Sequence, residues 1–192
     1  MQEAAQFVVL GAGLDTRAYG LLKNRGLDLY ELDQRSDQHH KRTYLKAANI
    51  DTSHVRYVEV DFAQPGWIEA LLANGFDPAK KTIFLWEGVT LYLSEQAVTA
   101  TLKVIGENSA PGSVVLADIY AERFVRLTKN KAISWSLEMT GEEMCFGLDW
   151  SIEADARLSD FVEARDLTLG RYQFLGANKK TGPFVVIAEM LI

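Results

Sequence analysis

An α/β fold built on an open, doubly wound sheet is what this sequence predicts, and three observations predict it. Gln6-Phe7-Val8-Val9-Leu10 is an apolar run of strand type that stops at a Gly11-Ala12-Gly13 turn. Behind it, apolar strand-like runs and helix-compatible runs alternate as far as Ile119. The last two apolar runs then follow one another across a loop containing Gly and Pro, with no helix between them. Alternating β and α segments specify a largely parallel sheet, because each parallel crossover needs a helix; a final hairpin adds antiparallel strands.

Phe7–Leu10 reads as the first strand and Asp15–Lys23 as the helix after it. Leu27–Asp33 gives a second strand, followed by a polar, helix-compatible run over Asp37–Ala48. Val55–Val60 gives a third strand, and Trp67–Asn74 a short helix stopped by Gly75. Thr82–Trp86 is nearly all apolar, as a strand covered on both faces should be. Ser94 is a natural N-cap for a helix whose Ala97, Val98, Thr101, Leu102 and Ile105 recur at helical spacing. The Pro111-Gly112 turn leads into a fifth strand, Ser113–Ile119. Ala121–Trp150 starts helical and breaks at Thr140-Gly141, and Ile152–Ala164 reads as helix. Leu169–Leu175 and Phe184–Ile192, joined by Gly176–Pro183, close the chain as a hairpin. No repeat or linker divides residues 1–192, so one domain is expected.

A chain of 192 residues with 48% hydrophobic and 24% charged residues has the balance of a globular domain with a sizeable core. A net charge of −6 argues against a nucleic-acid surface, which usually carries a basic excess. Cys145 is the only cysteine, so no intrachain disulfide forms, and it reads as a small buried hydrophobe. No apolar stretch approaches the ~20 residues of a membrane span, and no signal-peptide layout opens the chain; a cytoplasmic location is the expectation.

The first turn decides between ligands. Gly11-Ala12-Gly13 supplies two glycines of a dinucleotide fingerprint, but Thr16 stands where the third belongs. Asp15 weighs more. A diphosphate docks on helix N-termini because bare N–H groups favour anions. A carboxylate ~4 Å from it would repel it by about 4 kcal/mol at a protein surface. Arg17 offsets part of that, whereas a cationic ligand needs no offset. S-adenosylmethionine is one: it carries an ammonium, a sulfonium and a carboxylate, and no phosphate. Glu31-Leu32-Asp33 ends the second strand, where an acid roughly 20 residues after the turn meets ribose hydroxyls. Asp33 is the better candidate, with Glu31 pointing at the cofactor or at Arg17. That acid suits NAD and S-adenosylmethionine equally. Asp61 and Phe62 follow the third strand, where an acid meets an adenine amino group and a ring lies on the base, or Phe62 simply packs in the core. Glu87-Gly88 closes the fourth strand at the crevice centre, and an acid there is costly to bury without a cationic partner.

Read together, Leu10-Gly11-Ala12-Gly13-Leu14-Asp15-Thr16-Arg17, Tyr30-Glu31-Leu32-Asp33-Gln34, Val58-Glu59-Val60-Asp61-Phe62 and Trp86-Glu87-Gly88-Val89-Thr90-Leu91-Tyr92-Leu93 resemble the leucine carboxyl methyltransferase superfamily, in particular its bacterial branch of small-molecule O-methyltransferases. The resemblance covers residues 6–120 best. It implies a class I methyltransferase sheet of order 3-2-1-4-5-7-6 with strand 7 antiparallel, and S-adenosylmethionine as cofactor. It implies that Gly11, Asp33, Asp61, Phe62 and Glu87 match cofactor-contacting positions, beside Ala12, Gly13, Asp15 and Arg17 of the turn. It also implies helices before the first strand, with an arginine that pairs with the cofactor's carboxylate; this sequence has no counterpart for them.

Methyl transfer chiefly requires alignment and exclusion of water. A carboxylate acceptor is already ionised at neutral pH and needs no base, which fits a sequence without an evident base or metal cluster. A phenol acceptor would profit from one. His39, His40 and His54 read as solvated or capping residues, and no metal site is expected. Tyr92, Tyr120 and Arg123 are candidates for an acceptor pocket, with Arg123 pairing a substrate anion; rim packing and a solvated charge are the competing readings. Trp135, Met139, Met144, Phe146 and Trp150 supply bulk for a lid, a core or an oligomer interface. The four prolines, at 65, 78, 111 and 183, leave no base-methylation motif after the fourth strand. A small-molecule acceptor, with no nucleic acid or membrane, is the expected partner, and homo-oligomerisation stays open. The competing readings are a nicotinamide-dependent oxidoreductase and a non-catalytic cofactor-binding piece.

Overall fold

The computed structural model describes residues 4–128, 143–176 and 182–192. Seven strands form one sheet in the order β3-β2-β1-β4-β5-β7-β6. They are β1 (Gln6–Leu10), β2 (Asp28–Asp33), β3 (Val55–Glu59), β4 (Thr82–Trp86), β5 (Val114–Tyr120), β6 (Thr168–Leu175) and β7 (Val185–Leu191). The first five run parallel, and β7 pairs antiparallel with both β5 and β6. The order and the reversed strand are those the resemblance implies. The change of direction between β1 and β4 leaves a crevice beyond their carboxyl ends, where doubly wound sheets bind ligands.

The helices are α1 (Arg35–Ala47), α2 (Trp67–Ala73), α3 (Glu95–Glu107), α4 (Glu122–Thr128) and α5 (Ala154–Glu163). Strand parity sorts the core into two layers. Val8, Leu10, Tyr30, Leu32, Phe84, Trp86, Val115 and Ala117 face α2, α3 and α5 through Leu71, Leu102, Ile105, Leu158 and Val162. Phe7, Val9 and Leu29 face the other way and pack with Ala18, Tyr19 and Leu22. Ser94 caps α3 as the sequence indicates, its Oγ accepting from the Ala97 amide at 3.2 Å. On the second face Ile187 (49% exposed) and Leu191 lie open to solvent at the β7 end of the sheet.

Two sequence readings change here. The helix expected over Asp15–Lys23 is a single 3-10 turn, Arg17–Tyr19. Asp15 Oδ1 accepts the Arg17 amide at 2.7 Å, the local bond by which Asp draws backbone out of a helix. Gly20 and the left-handed Asn24 then stop any continuation. Cys145, expected buried, is exposed, because its backbone amide bonds to the Leu91 carbonyl at 2.7 Å on a loop at the surface. Its neighbours Phe146 and Trp150 are the buried ones, Phe146 with its ring 5.7 Å from that of Phe161; both are core residues rather than lid. Trp135 and Met139 lie outside the described residues.

Candidate functional site

Register lines the crevice with acids. Leu10 pairs with Leu32, Val9 with Leu85, and Trp86 with Ala117. Continued past the last paired residues, these registers set Gly11 between Asp33 and Glu87, and Glu87 beside Asp118. Paired residues of parallel strands send side chains to the same face, so the carboxylates of β2, β4 and β5 form one row along the sheet's rim. Gly11 is the gap in that row. Its φ of +71° suits glycine, and a Cβ there would lie 2.4 Å from Val89 Cγ2. The backbone from Gly11 to Arg17, with Leu85 and Glu87 to Val89, lines a crevice of about 520 Å³, within the usual size of a ligand site. A larger open groove of about 1040 Å³ runs along α1, but it contains none of the rim acids, so volume does not locate the site.

Asp33 holds the glycine turn from below. Its Oδ2 accepts the Gly13 amide at 2.5 Å and its Oδ1 the Gln34 amide at 2.7 Å. A carboxylate offers about four lone-pair sites, so acceptor capacity remains. Burial pushes its pKa above the ordinary aspartate range, against the pull of those two amides. Across the mouth, Arg17 bridges two acids: one guanidinium nitrogen lies 2.6 Å from Asp15 Oδ2 and the other 2.5 Å from Glu87 Oε2. The positive charge between Asp15 and Glu87 is the Arg17 guanidinium itself.

Beneath the turn lies a second ion pair. Glu31 does not point at the crevice or at Arg17, as the sequence suggested; its Oε2 pairs with Lys41 Nζ at 2.8 Å, with side chains only 2% and 4% exposed. The Tyr19 hydroxyl donates to the same oxygen at 2.9 Å, and Lys41 reaches the Ala12 carbonyl at 3.4 Å. Residue parity places Glu31 on the crevice face, but one turn of α1 and the 3-10 turn cover it there.

Residues 1–106 match the model of the leucine carboxyl methyltransferase family. The chain belongs to that family. A Mycolicibacterium smegmatis protein named "Putative S-adenosyl-L-methionine-dependent methyltransferase" is 35% identical over 152 residues, 79% of this chain and 47% of that protein. This family member thus spans about half the length of such relatives. Among solved structures, an O-methyltransferase family protein from Burkholderia thailandensis superimposes with a TM-score of 0.62 at 13% identity, covering 98% of this chain and 51% of that one. NcsB1, an O-methyltransferase from neocarzinostatin biosynthesis solved with S-adenosylmethionine and a naphthoic acid, gives 0.59 at 15% identity, over 98% and 49%. At these identities the likeness shows the fold.

The remaining candidates of this leucine carboxyl methyltransferase family chain stand further out. Asp61 is exposed, its Oδ1 accepting the Ala63 amide at 2.9 Å, and Phe62 is buried with its ring 5.7 Å from that of Trp67. Tyr92 sits on the 3-10 turn Thr90–Tyr92, and Arg123 donates to the Gly182 carbonyl at 2.9 Å. Tyr120 stacks on Phe124 at 5.8 Å, and burial with the nearby Asp118 pushes its hydroxyl pKa up to about 12. His39 and His40 are exposed, but His54 is half-buried, with Nε2 2.9 Å from the Ala18 carbonyl. Among the described residues no cluster of His, Cys, Asp or Glu is placed to hold a metal, and no helix is long and apolar enough to cross a membrane.

Asp118 is the site residue that sequence reasoning missed, although an acid inside Val114-Val115-Leu116-Ala117-Asp118-Ile119 was its signal. Burial holds its pKa above the ordinary range. An acid with a raised native pKa binds its proton more tightly folded than unfolded, so it contributes less stability as pH rises between the two values. Replacing it by Asn removes that slope. The stability of Asp118→Asn relative to wild type will therefore rise as pH is raised through the window just above the normal aspartate pKa, then level off. Urea denaturation at a series of pH values checks this, and a flat difference would contradict it.

Proposed function

We propose that the crevice binds S-adenosylmethionine and that the chain is an O-methyltransferase acting on a carboxyl, or a hydroxyl, group of a small molecule. The observation that carries this reading is the Asp15–Arg17–Glu87 bridge, a place built for positive charge where a phosphate-binding turn would present bare amides. Family membership and the names of the relatives support it.

When bound, the cofactor supplies a methyl group on a positively charged sulfur. Asp33 is positioned at the end of β2 to accept ribose hydroxyls while its amide bonds keep the glycine turn in place. Glu87 and Asp15 hold the ammonium and balance the sulfonium charge. Arg17 spends two of its five donors on these acids and has others for the cofactor's carboxylate. Gly11, Ala12 and Gly13 admit the methionyl arm close to backbone. Asp61 and Phe62 serve the adenine end, and Tyr92, Tyr120 and Arg123 the acceptor. A carboxylate acceptor requires no proton removal, and the residues around the crevice then have only to align it and keep water out.

The competing reading is a cofactor-binding domain without transfer activity of its own. Incubation with methyl-labelled S-adenosylmethionine and separate panels of carboxylic acids and phenols distinguishes the two. Label in a small-molecule ester or ether supports the enzyme. Binding of S-adenosylhomocysteine with no transfer supports the second reading, and no binding at all overturns both.

A further inference from the structure

Asp118 is 7% exposed, and the chemistry just described makes no use of it. Both of its carboxylate oxygens lie 3.0 Å from the Gly88 amide, which donates to them. Its carbonyl accepts the Thr90 hydroxyl at 2.8 Å, so one residue of β5 ties down both ends of the loop that follows β4. Gly88, with φ at +71°, is the turn that carries the chain away immediately after Glu87. Tyr120 follows two residues on, near enough for Asp118 to help raise its hydroxyl pKa. The Tyr120 ring is held independently, 5.8 Å from Phe124 and 5.9 Å from Phe184.

We propose that Asp118 is a positioning residue of the crevice: its carboxylate holds the Glu87–Gly88 turn on the donor side. The inference rests on the reading that the crevice binds S-adenosylmethionine. Glu87 is exposed; Arg17 holds its carboxylate, and the turn anchored by Asp118 holds its backbone, so both set its direction. Removing the carboxylate leaves the Gly88 amide without its acceptor, frees the turn and moves Glu87.

The test combines calorimetric titration with S-adenosylhomocysteine and amide NMR of wild type, Asp118→Asn and Asp118→Ala. The Asn side chain still accepts from Gly88, so Asp118→Asn should bind within about threefold of wild type, whereas Asp118→Ala should bind roughly tenfold or more weakly, as a lost charge-assisted hydrogen bond implies. The Gly88 amide should move upfield in Asp118→Ala and stay near its place in Asp118→Asn. A purely structural role would give a folded Asp118→Ala that binds like wild type, and that result overturns the proposal while leaving the cofactor reading intact. Failure of wild type itself to bind overturns the cofactor reading and the proposal with it. If Asp118→Ala does not fold, the Gly88 amide of wild type decides: its shift must titrate with a carboxyl midpoint above the ordinary aspartate range, and a pH-independent shift overturns the assignment.

Discussion

Lys41→Met will lower the unfolding free energy at neutral pH by about 3–5 kcal/mol, the cost typical of breaking a buried ion pair from one side. The reason lies in what remains. Glu31 stays enclosed with one oxygen accepting from Tyr19 and the other, Oε1, without a hydrogen-bond partner. Burial already holds the Glu31 pKa above its ordinary value, with Lys41 as the main opposing influence. Without the lysine the carboxyl will take up a proton instead, so the penalty will shrink as pH falls. Glu31→Gln in the same chain should recover most of the loss, because no charge is then left uncompensated. Chemical denaturation of the single and double variants checks both statements. A Lys41→Met protein within about 1 kcal/mol of wild type would contradict them.

Asp33→Ala will weaken binding of S-adenosylhomocysteine by roughly 10- to 100-fold, the worth of one or two hydrogen bonds to a charged acceptor. Two losses combine. The ribose loses its acceptor, and the Gly13 amide loses the bond that sets the turn. Asp33→Asn should fall between, since it keeps an acceptor for Gly13 without the charge. Calorimetric titration measures both variants; equal affinity of Asp33→Ala and wild type would remove Asp33 from the site.

The same residues show what the sequence makes legible. The alternation of apolar runs is enough for a parallel sheet, because each strand buried on both faces excludes polar residues almost completely, as Phe7–Leu10 and Thr82–Trp86 do. Strand order came from the resemblance, since local pattern carries no information on which strands are neighbours. The rim acids Asp33 and Glu87 stand out because each ends an apolar run. Asp118 was harder. Two further strand residues follow it, and only the register with β4 brings it level with Glu87. Lys41 was harder still, since its partner lies across a strand, a turn and the first turns of α1. The helix expected at Asp15–Lys23 fails to form for a local cause, a side chain that bonds to backbone two residues on, and propensity sums do not register such competition.

The central claim is that the rim of this sheet is a negative cradle for a positively charged methyl donor. Its most direct test is a parallel calorimetric titration of the protein with S-adenosylhomocysteine and with NAD. The account predicts saturable binding of S-adenosylhomocysteine at one site per chain and no measurable heat with NAD, whose diphosphate would meet Asp15. Saturable binding of NAD with none of S-adenosylhomocysteine would contradict it.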